Sequence, residues 1–221
     1  MLNILFPKLC HGCKNKLLKG EEVLCGACRH DLPLQCHHRN NDTAMQAIFN
    51  GRIPVSHATA LLQFHKKGIT QQLLHDLKYR KQEQISFFFG KWLGDELAEI
   101  AAYNEIDLVI PVPIHRKKRR QRGYNQVTGF GVEIAKALDI PFAENVLLKK
   151  SATKSQVFKQ RFTRFTDAEV FEVANNHFIQ GKHILIVDDI VTTGATLETC
   201  GNHLLAHGAA QISLATMAIT L

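Results

Sequence analysis

The sequence contains no apolar run approaching the ~20 residues that a bilayer-spanning helix needs. Its start, MLNILFPKLC, has neither a basic n-region nor a cleavage site of small residues. A spanning helix is thereby excluded, and the expected location is the cytoplasm. Cysteine is absent between Cys36 and Cys200, because five of the six thiols fall within the first 36 residues. A secreted disulfide scaffold would spread them along the chain, so these thiols are expected reduced or on a metal. Internal repeats and low-complexity tracts are also missing, which excludes a solenoid. Surplus charge is confined to one place. Six of the 27 Lys and Arg lie in Arg116–Arg122 (RKKRRQR), and the other 21 all but balance the 20 Asp and Glu. The net charge of +7 therefore describes a single patch. At 221 residues, 45% hydrophobic and 21% charged, the chain suits one medium α/β domain with a small appendage; two large domains, a disordered tail and a collagen are excluded.

The crowded cysteines form a pattern. Residues 10–28 read C-H-G-C, eleven residues, then C-G-A-C. Each CxxC turn presents two thiolates to one ion and aims backbone N–H groups at the sulfurs, so Cys10, Cys13, Cys25 and Cys28 are read as a structural Zn²⁺ site. A redox CxxC needs no twin, and buried apolar thiols would not be surrounded by Lys14, Lys16, Lys19, Glu21 and Glu22. A four-iron, four-sulfur cluster on the same thiolates is the alternative. His11, Cys36, His37 and His38 lie nearby, but four thiolates already saturate tetrahedral zinc. So small a module has little core of its own, and the metal would serve as its staple.

Beyond it, 41–54 is polar, turn-rich and without periodicity, and reads as a linker. VSHATALLQFH can form a strand, and 70–79 a helix with Leu73, Leu74 and Leu77 on one face. Phe89, Trp92, Leu93, Leu97 and Ile100 recur at helical spacing and read as core. A short strand at 106–110 runs into Pro111 and Pro113, the basic run reads as a loop, and a helix follows over 124–138. The last third is strand 184–187, a Thr/Gly loop, helix 196–207, Gly208 as its stop, and strand Gln211–Ile219. Strand, helix, strand in that order imply a crossover in a parallel sheet, hence an α/β fold.

The segment HILIVDDIVTTGATLETC carries the most chemistry. An apolar strand is followed by Asp188 and Asp189, then by Thr192, Thr193, Gly194, Ala195 and Thr196 leading into a helix. Ligands of open α/β sheets bind beyond the carboxyl ends of strands, and free N–H groups at a helix start attract phosphate. Carboxylates repel phosphate, so two acids there call for sugar hydroxyls as donors, with Mg²⁺ balancing the charge. The loop lacks the Gly-Lys-Ser/Thr ending of a Walker A motif. As a whole it resembles the signature that binds phosphoribosyl pyrophosphate (PRPP) in type I phosphoribosyltransferases. That resemblance implies Asp188 and Asp189 on the ribose hydroxyls, Thr192, Thr193, Gly194, Ala195 and Thr196 on the 5′-phosphate, and Mg²⁺ on the pyrophosphate and ribose.

Two further strings, IPVPIHRKKRRQRGYNQV at 110–127 and LKY at 77–79, together with the four cysteines, resemble the ComF family of competence proteins, with its ComFC-like and GntX-like members. The resemblance covers essentially the whole chain. It implies a four-cysteine zinc module over 1–40, a linker over 41–54 and a phosphoribosyltransferase-like domain over 55–221. It also implies a role in natural transformation, with PRPP and single-stranded DNA as partners alongside DNA-uptake or helicase machinery. The alternative it leaves open is an active PRPP-dependent transferase acting on an unknown nitrogen acceptor. The chain departs from the family at Cys36, where many members have a second cysteine pair, and after Ser155 and Gln156, where an Asn is often found.

Arg122 and Asn125 are expected to face the PRPP ligand. A compact pyrophosphate uses only a few cations, so Arg116, Lys117, Lys118, Arg119 and Arg120 suit a longer polyanion or a solvated surface. Lys159, Arg161 and Arg164, interleaved with Phe158, Phe162 and Phe165, have the cation-plus-ring composition of a single-strand groove or, equally, of a loop core.

Overall fold

The computed structural model describes residues 7–35, 37–39, 42–150 and 170–220. Four strands form a parallel sheet in the order β1-β6-β5-β2: β1 (Ala58–Gln63), β2 (Leu108–Pro111), β5 (His183–Val191) and β6 (Gln211–Ile219). Ile184 lies opposite Leu108 on one side and Ile212 on the other. An antiparallel pair, β3 (Leu147–Lys150) with β4 (Val170–Val173), stands apart from it.

Side chains alternate across a strand, and a sheet buried on both faces therefore reads as an unbroken apolar run. Ile184, Leu185, Ile186 and Val187 are all fully buried. Leu185 and Val187 join a core with helices α3 (Ile69–Tyr79), α4 (Gln84–Leu97) and α6 (Thr128–Ala137). Ile184 and Ile186 join a second core with α7 (Ala195–Ala206) and with Met45 and Phe49 on and after the short helix α2 (Ala44–Ala47). The result is helix, sheet, helix, as the strand–helix–strand order implies. Helices α4 and α6 cross closely because Gly90 offers no Cβ, which would sit 2.5 Å from the Phe130 carbonyl oxygen.

The cysteine-bearing segment, with its short helix α1 (Gly26–His30), is packed onto this body. Leu17, Val23, Leu24 and Leu32 share a core with Leu73, Leu74 and Leu77 of α3. Backbone bonds from Gln35 N–H to Leu61 O (2.8 Å) and from Gln63 N–H to Pro33 O (2.7 Å) cover the open edge of β1, which would otherwise be a template for stray pairing.

The structure differs from the sequence-based expectations in four places, the simplest being that the helix expected from 124 starts at Thr128. The stretch expected as a polar link carries α2 and buries Met45, Phe49 and Ile53; a four-residue helix is too short to show a period. The basic run is a helix, α5 (Arg116–Arg122), not a loop. Arg, Lys and Gln are good helix formers, the His115 imidazole accepts from the Lys117 N–H at 3.2 Å, and Gly123, at φ +90°, ends it. Strand β5 does not stop at Val187 but continues through both acids, pairing Asp188 with Thr216.

Candidate functional site

At the carboxyl end of β5 the chain turns through Thr192 and Thr193 to Gly194 (φ +75°), the cap of α7. A Cβ on Gly194 would lie 2.7 Å from the Phe49 ring. Both the left-handed backbone and this contact require glycine. Gly194→Ala is expected to cost about 1–3 kcal/mol and to displace the loop, read as a lowered midpoint in urea unfolding; an unchanged midpoint would show the loop to be compliant. From the other side Arg52 donates to the Thr193 carbonyl at 2.6 Å and pairs with Glu198. Loop residues 192–196 and Asp188 line a depression of about 50 Å³, where the dipole at the start of α7 favours an anion.

The two acids have different surroundings, because adjacent strand residues point to opposite faces. Asp188 borders the depression. Desolvation, followed by the neighbouring Asp189 charge, pushes its carboxyl up to about 8, and its Oδ1 accepts from the Asp189 N–H at 2.8 Å. Asp189 is only 4% exposed. Its Oδ1 is paired with Lys78 Nζ at 3.0 Å, and its Oδ2 accepts from Gln126 Nε2 at 2.8 Å. Gln126 in turn accepts from Arg122 at 2.7 Å. Ser86 of α4 fixes this corner, donating to the Gln126 carbonyl at 2.6 Å and accepting from the Phe130 N–H at 2.9 Å.

The loop residues, Asp188 and Asp189 thus come together, and Arg122 reaches them through Gln126. Asn125 does not face outward: it is buried, its amide donates to Val112 O at 3.1 Å, and its Oδ1 accepts from the Val127 N–H at 3.4 Å. It ties the exit of β2 to the start of α6. Arg116, Lys117, Lys118, Arg119 and Arg120 are exposed along α5. Arg119 pairs with Glu144 at 3.4 Å; among the described residues Arg116, Lys117, Lys118 and Arg120 make no ion pair. Lys159, Arg161 and Arg164, with Phe158, Phe162 and Phe165, lie outside the described residues. Sequence reasoning singled out neither Gln126 nor Arg52, and gave Lys78 no role. Lys78 and Gln126 sit inside the LKY and RGYNQ strings, which were the available signal. Nothing local marks Arg52.

The second candidate is the thiol cluster. The four Sγ atoms of Cys10, Cys13, Cys25 and Cys28 lie within 4.8 Å of one another, and Cys13 Sγ and Cys25 Sγ are 3.7 Å apart. A tetrahedron with Zn–S bonds of about 2.3 Å has edges of about 3.8 Å, so the set fits a metal such as zinc. The Cys25 N–H points at Cys10 Sγ (3.3 Å) and the Cys28 N–H at Cys25 Sγ (3.5 Å). Burial raises the Cys10 thiol, yet backbone N–H groups of Cys25, Cys13 and Gly12 outweigh it and lower the group to about 6, while burial and then the neighbouring thiols raise Cys28; Cys10 is thus the thiol most readily ionised. Gln72 holds His11 O and Gly12 O at 2.7 and 3.0 Å, and Lys14 pairs with the buried Asp76 at 3.0 Å, so the cluster is pinned to α3.

Comparison with known proteins bears on the β5 site. The model of the phosphoribosyl transferase domain matches residues 128–219, which hold β5, the two acids, the loop and α7. Over 219 residues the chain is 24% identical to competence protein F of Haemophilus influenzae, covering 96% of this chain and 91% of that protein. Over 216 residues it is 26% identical to competence protein ComFC of Bacillus subtilis, covering 95% and 83%. The chain is a ComF-family, phosphoribosyltransferase-like protein. A shorter match, 28% identical over 153 residues, links this ComF-family chain to the DNA utilization protein YhgH of Escherichia coli O157:H7, covering 67% of this chain and 66% of that one. Its fold is the parallel sheet with flanking helices of the type I phosphoribosyltransferases, joined to a four-cysteine module that fits zinc. Among the described residues no helix is long and apolar enough to cross a membrane.

Proposed function

We propose that this ComF-family chain binds PRPP with Mg²⁺ at the carboxyl end of β5 and single-stranded DNA along the adjoining basic face, serving DNA uptake with other uptake or helicase components. The observation that carries the reading is one connected polar network. Asp188 lines the depression and accepts from the Asp189 N–H, and the Asp189 carboxylate is joined through Gln126 to Arg122 at the end of a helix of exposed cations. In this reading Thr192, Thr193 and Thr196, with the N–H groups of Gly194 and Ala195, receive the 5′-phosphate. Asp188 and Asp189 accept from the ribose hydroxyls, and Arg122 meets the pyrophosphate. Mg²⁺ supplies charge neutralisation of the pyrophosphate when bound. Cys10, Cys13, Cys25 and Cys28 hold Zn²⁺ in a module over 1–40, which 41–54 connects to a phosphoribosyltransferase-like domain over 55–221. The relatives named for competence and DNA utilization support the DNA side.

The unbroken acidic pair and loop would equally serve an active transferase on a nitrogen acceptor, and pyrophosphate release from PRPP across a set of nucleobases separates the two. Release with any base favours the enzyme; PRPP binding without release favours the DNA-handling factor. For the DNA side, replacing Arg116, Lys117 and Arg120 by Ala together removes three phosphate contacts. The slope of log affinity against log salt for an oligothymidylate is expected to fall in magnitude by about 2. An unchanged slope would remove α5 from the DNA contact.

A further inference from the structure

A recess of about 260 Å³ lies where the end of α3 meets the α5–α6 junction, lined by Lys78, Tyr79, Lys81, Lys118, Arg122 and Tyr124. It presents four cations and no carboxylate among its lining residues. Its two rings differ. The Tyr124 hydroxyl is tied to the Leu77 carbonyl, whereas Tyr79 as a residue is 64% exposed, with the Arg122 guanidinium 5.3 Å and the His75 ring centroid 5.0 Å from its ring centroid. Lys81, which lines the recess, is held at φ +56°, a backbone conformation that lysine rarely adopts.

These parts are preorganised. Lys78 is fixed by Asp189 and Arg122 by Gln126, so cations and ring meet an incoming group with little left to order. A compact inorganic anion has no use for an exposed ring. A planar base does, since its face stacks on tyrosine while cations track its phosphates, without regard to sequence. The volume falls below the ~300–1,000 Å³ of pockets that enclose a drug-sized ligand, as suits a strand laid across the surface with one unit partly seated.

We infer that this recess seats one nucleotide of a DNA single strand, its base laid on Tyr79 and its phosphates held by Lys81 and Lys118. The inference rests on the DNA-binding reading above and adds to Lys118 of the basic run two residues, Tyr79 and Lys81, which no basic-run or Phe-rich signal marked.

The test is fluorescence anisotropy of a labelled oligothymidylate with the full chain. Tyr79→Ala is expected to weaken binding by about 5- to 100-fold, the range for loss of one base stack, while Tyr79→Phe keeps wild-type affinity. An oligonucleotide with abasic sites should bind the wild type as weakly as Tyr79→Ala binds the normal strand, with no further loss when both changes are combined. Lys81→Gly meets the positive φ without strain, so it should fold normally and reduce the salt slope by about 0.7. Equal affinity of wild type and Tyr79→Ala for the strand overturns the recess but leaves the DNA reading standing. Failure of the wild type to bind the strand overturns both. Loss of inorganic pyrophosphate binding in Lys81→Gly, with strand affinity unchanged in Tyr79→Ala, overturns it in favour of a pyrophosphate pocket.

Discussion

Replacing Asp188 by Asn is expected to make the ligand-free protein more stable at neutral and higher pH while weakening PRPP binding by about 100-fold. The gain follows from the environment of the carboxyl. Burial, and after it the charge on Asp189, raises Asp188 from 3.8 to about 8. An acid whose folded value lies above its unfolded value contributes stability that is fully present below about 3.8 and is lost as pH rises through about 8. Wild-type stability should therefore decline across that window, and Asp188→Asn should remove the decline, because an amide accepts the Asp189 N–H without ionising. The gain is on the order of 1–3 kcal/mol above pH 8. The loss follows from charge-assisted hydrogen bonds to the sugar, each contributing about 1.5–3 kcal/mol. Asp189→Asn should also lose PRPP but move stability the other way, by about 2 kcal/mol, since it strips the partner from Lys78. Thermal midpoints of the three proteins between pH 5 and 9, beside PRPP titrations, check both signs. A wild-type midpoint that runs parallel to that of Asp188→Asn from pH 5 to 9 would show the carboxyl to be ionised and solvated.

Removing the metal is expected to have the other large effect. Chelation, or Cys28→Ser, should abolish stoichiometric zinc and lower the thermal midpoint by on the order of 10 °C, the shift that a loss of ~3–4 kcal/mol gives in a domain of this size. The consequence should extend beyond the module. Leu17, Val23 and Leu24 pack on α3, and Gln72 and Asp76 of α3 grip the first knuckle. That helix carries Lys78 and Tyr79 at its end, so single-strand affinity should fall with the metal. Full zinc content in Cys28→Ser, or an unchanged midpoint without metal, would remove the staple role.

The legible parts of the fold were those encoded by a strong local signal. The Thr/Gly turn and the Gly208 stop (φ +104°) mark α7 and β6 almost to the residue, and the run at 184–187 marks the centre of β5, where burial on both faces leaves only apolar positions. Four cysteines at paired CxxC spacing likewise announce their cluster. What the sequence could not show was long-range partnership. Asp189 is held by Lys78 and by Gln126, 63 positions away, and Arg52 reaches Thr193 across 141; no periodicity reports such pairings. Asn125 misled in the opposite sense. A polar residue in a motif invites a ligand, yet here both ends of its amide satisfy backbone groups that burial would otherwise orphan. The basic run misled because charge implied a loop, while its residue types and Gly123 specify a capped helix.

The most direct test of the central claim, a PRPP site at the carboxyl end of β5, is calorimetric titration of PRPP with Mg²⁺ into the full zinc-loaded chain and into Asp188→Asn. One saturable site in the wild type that disappears in Asp188→Asn is the predicted result. No binding in the wild type, or equal binding in both, would contradict it.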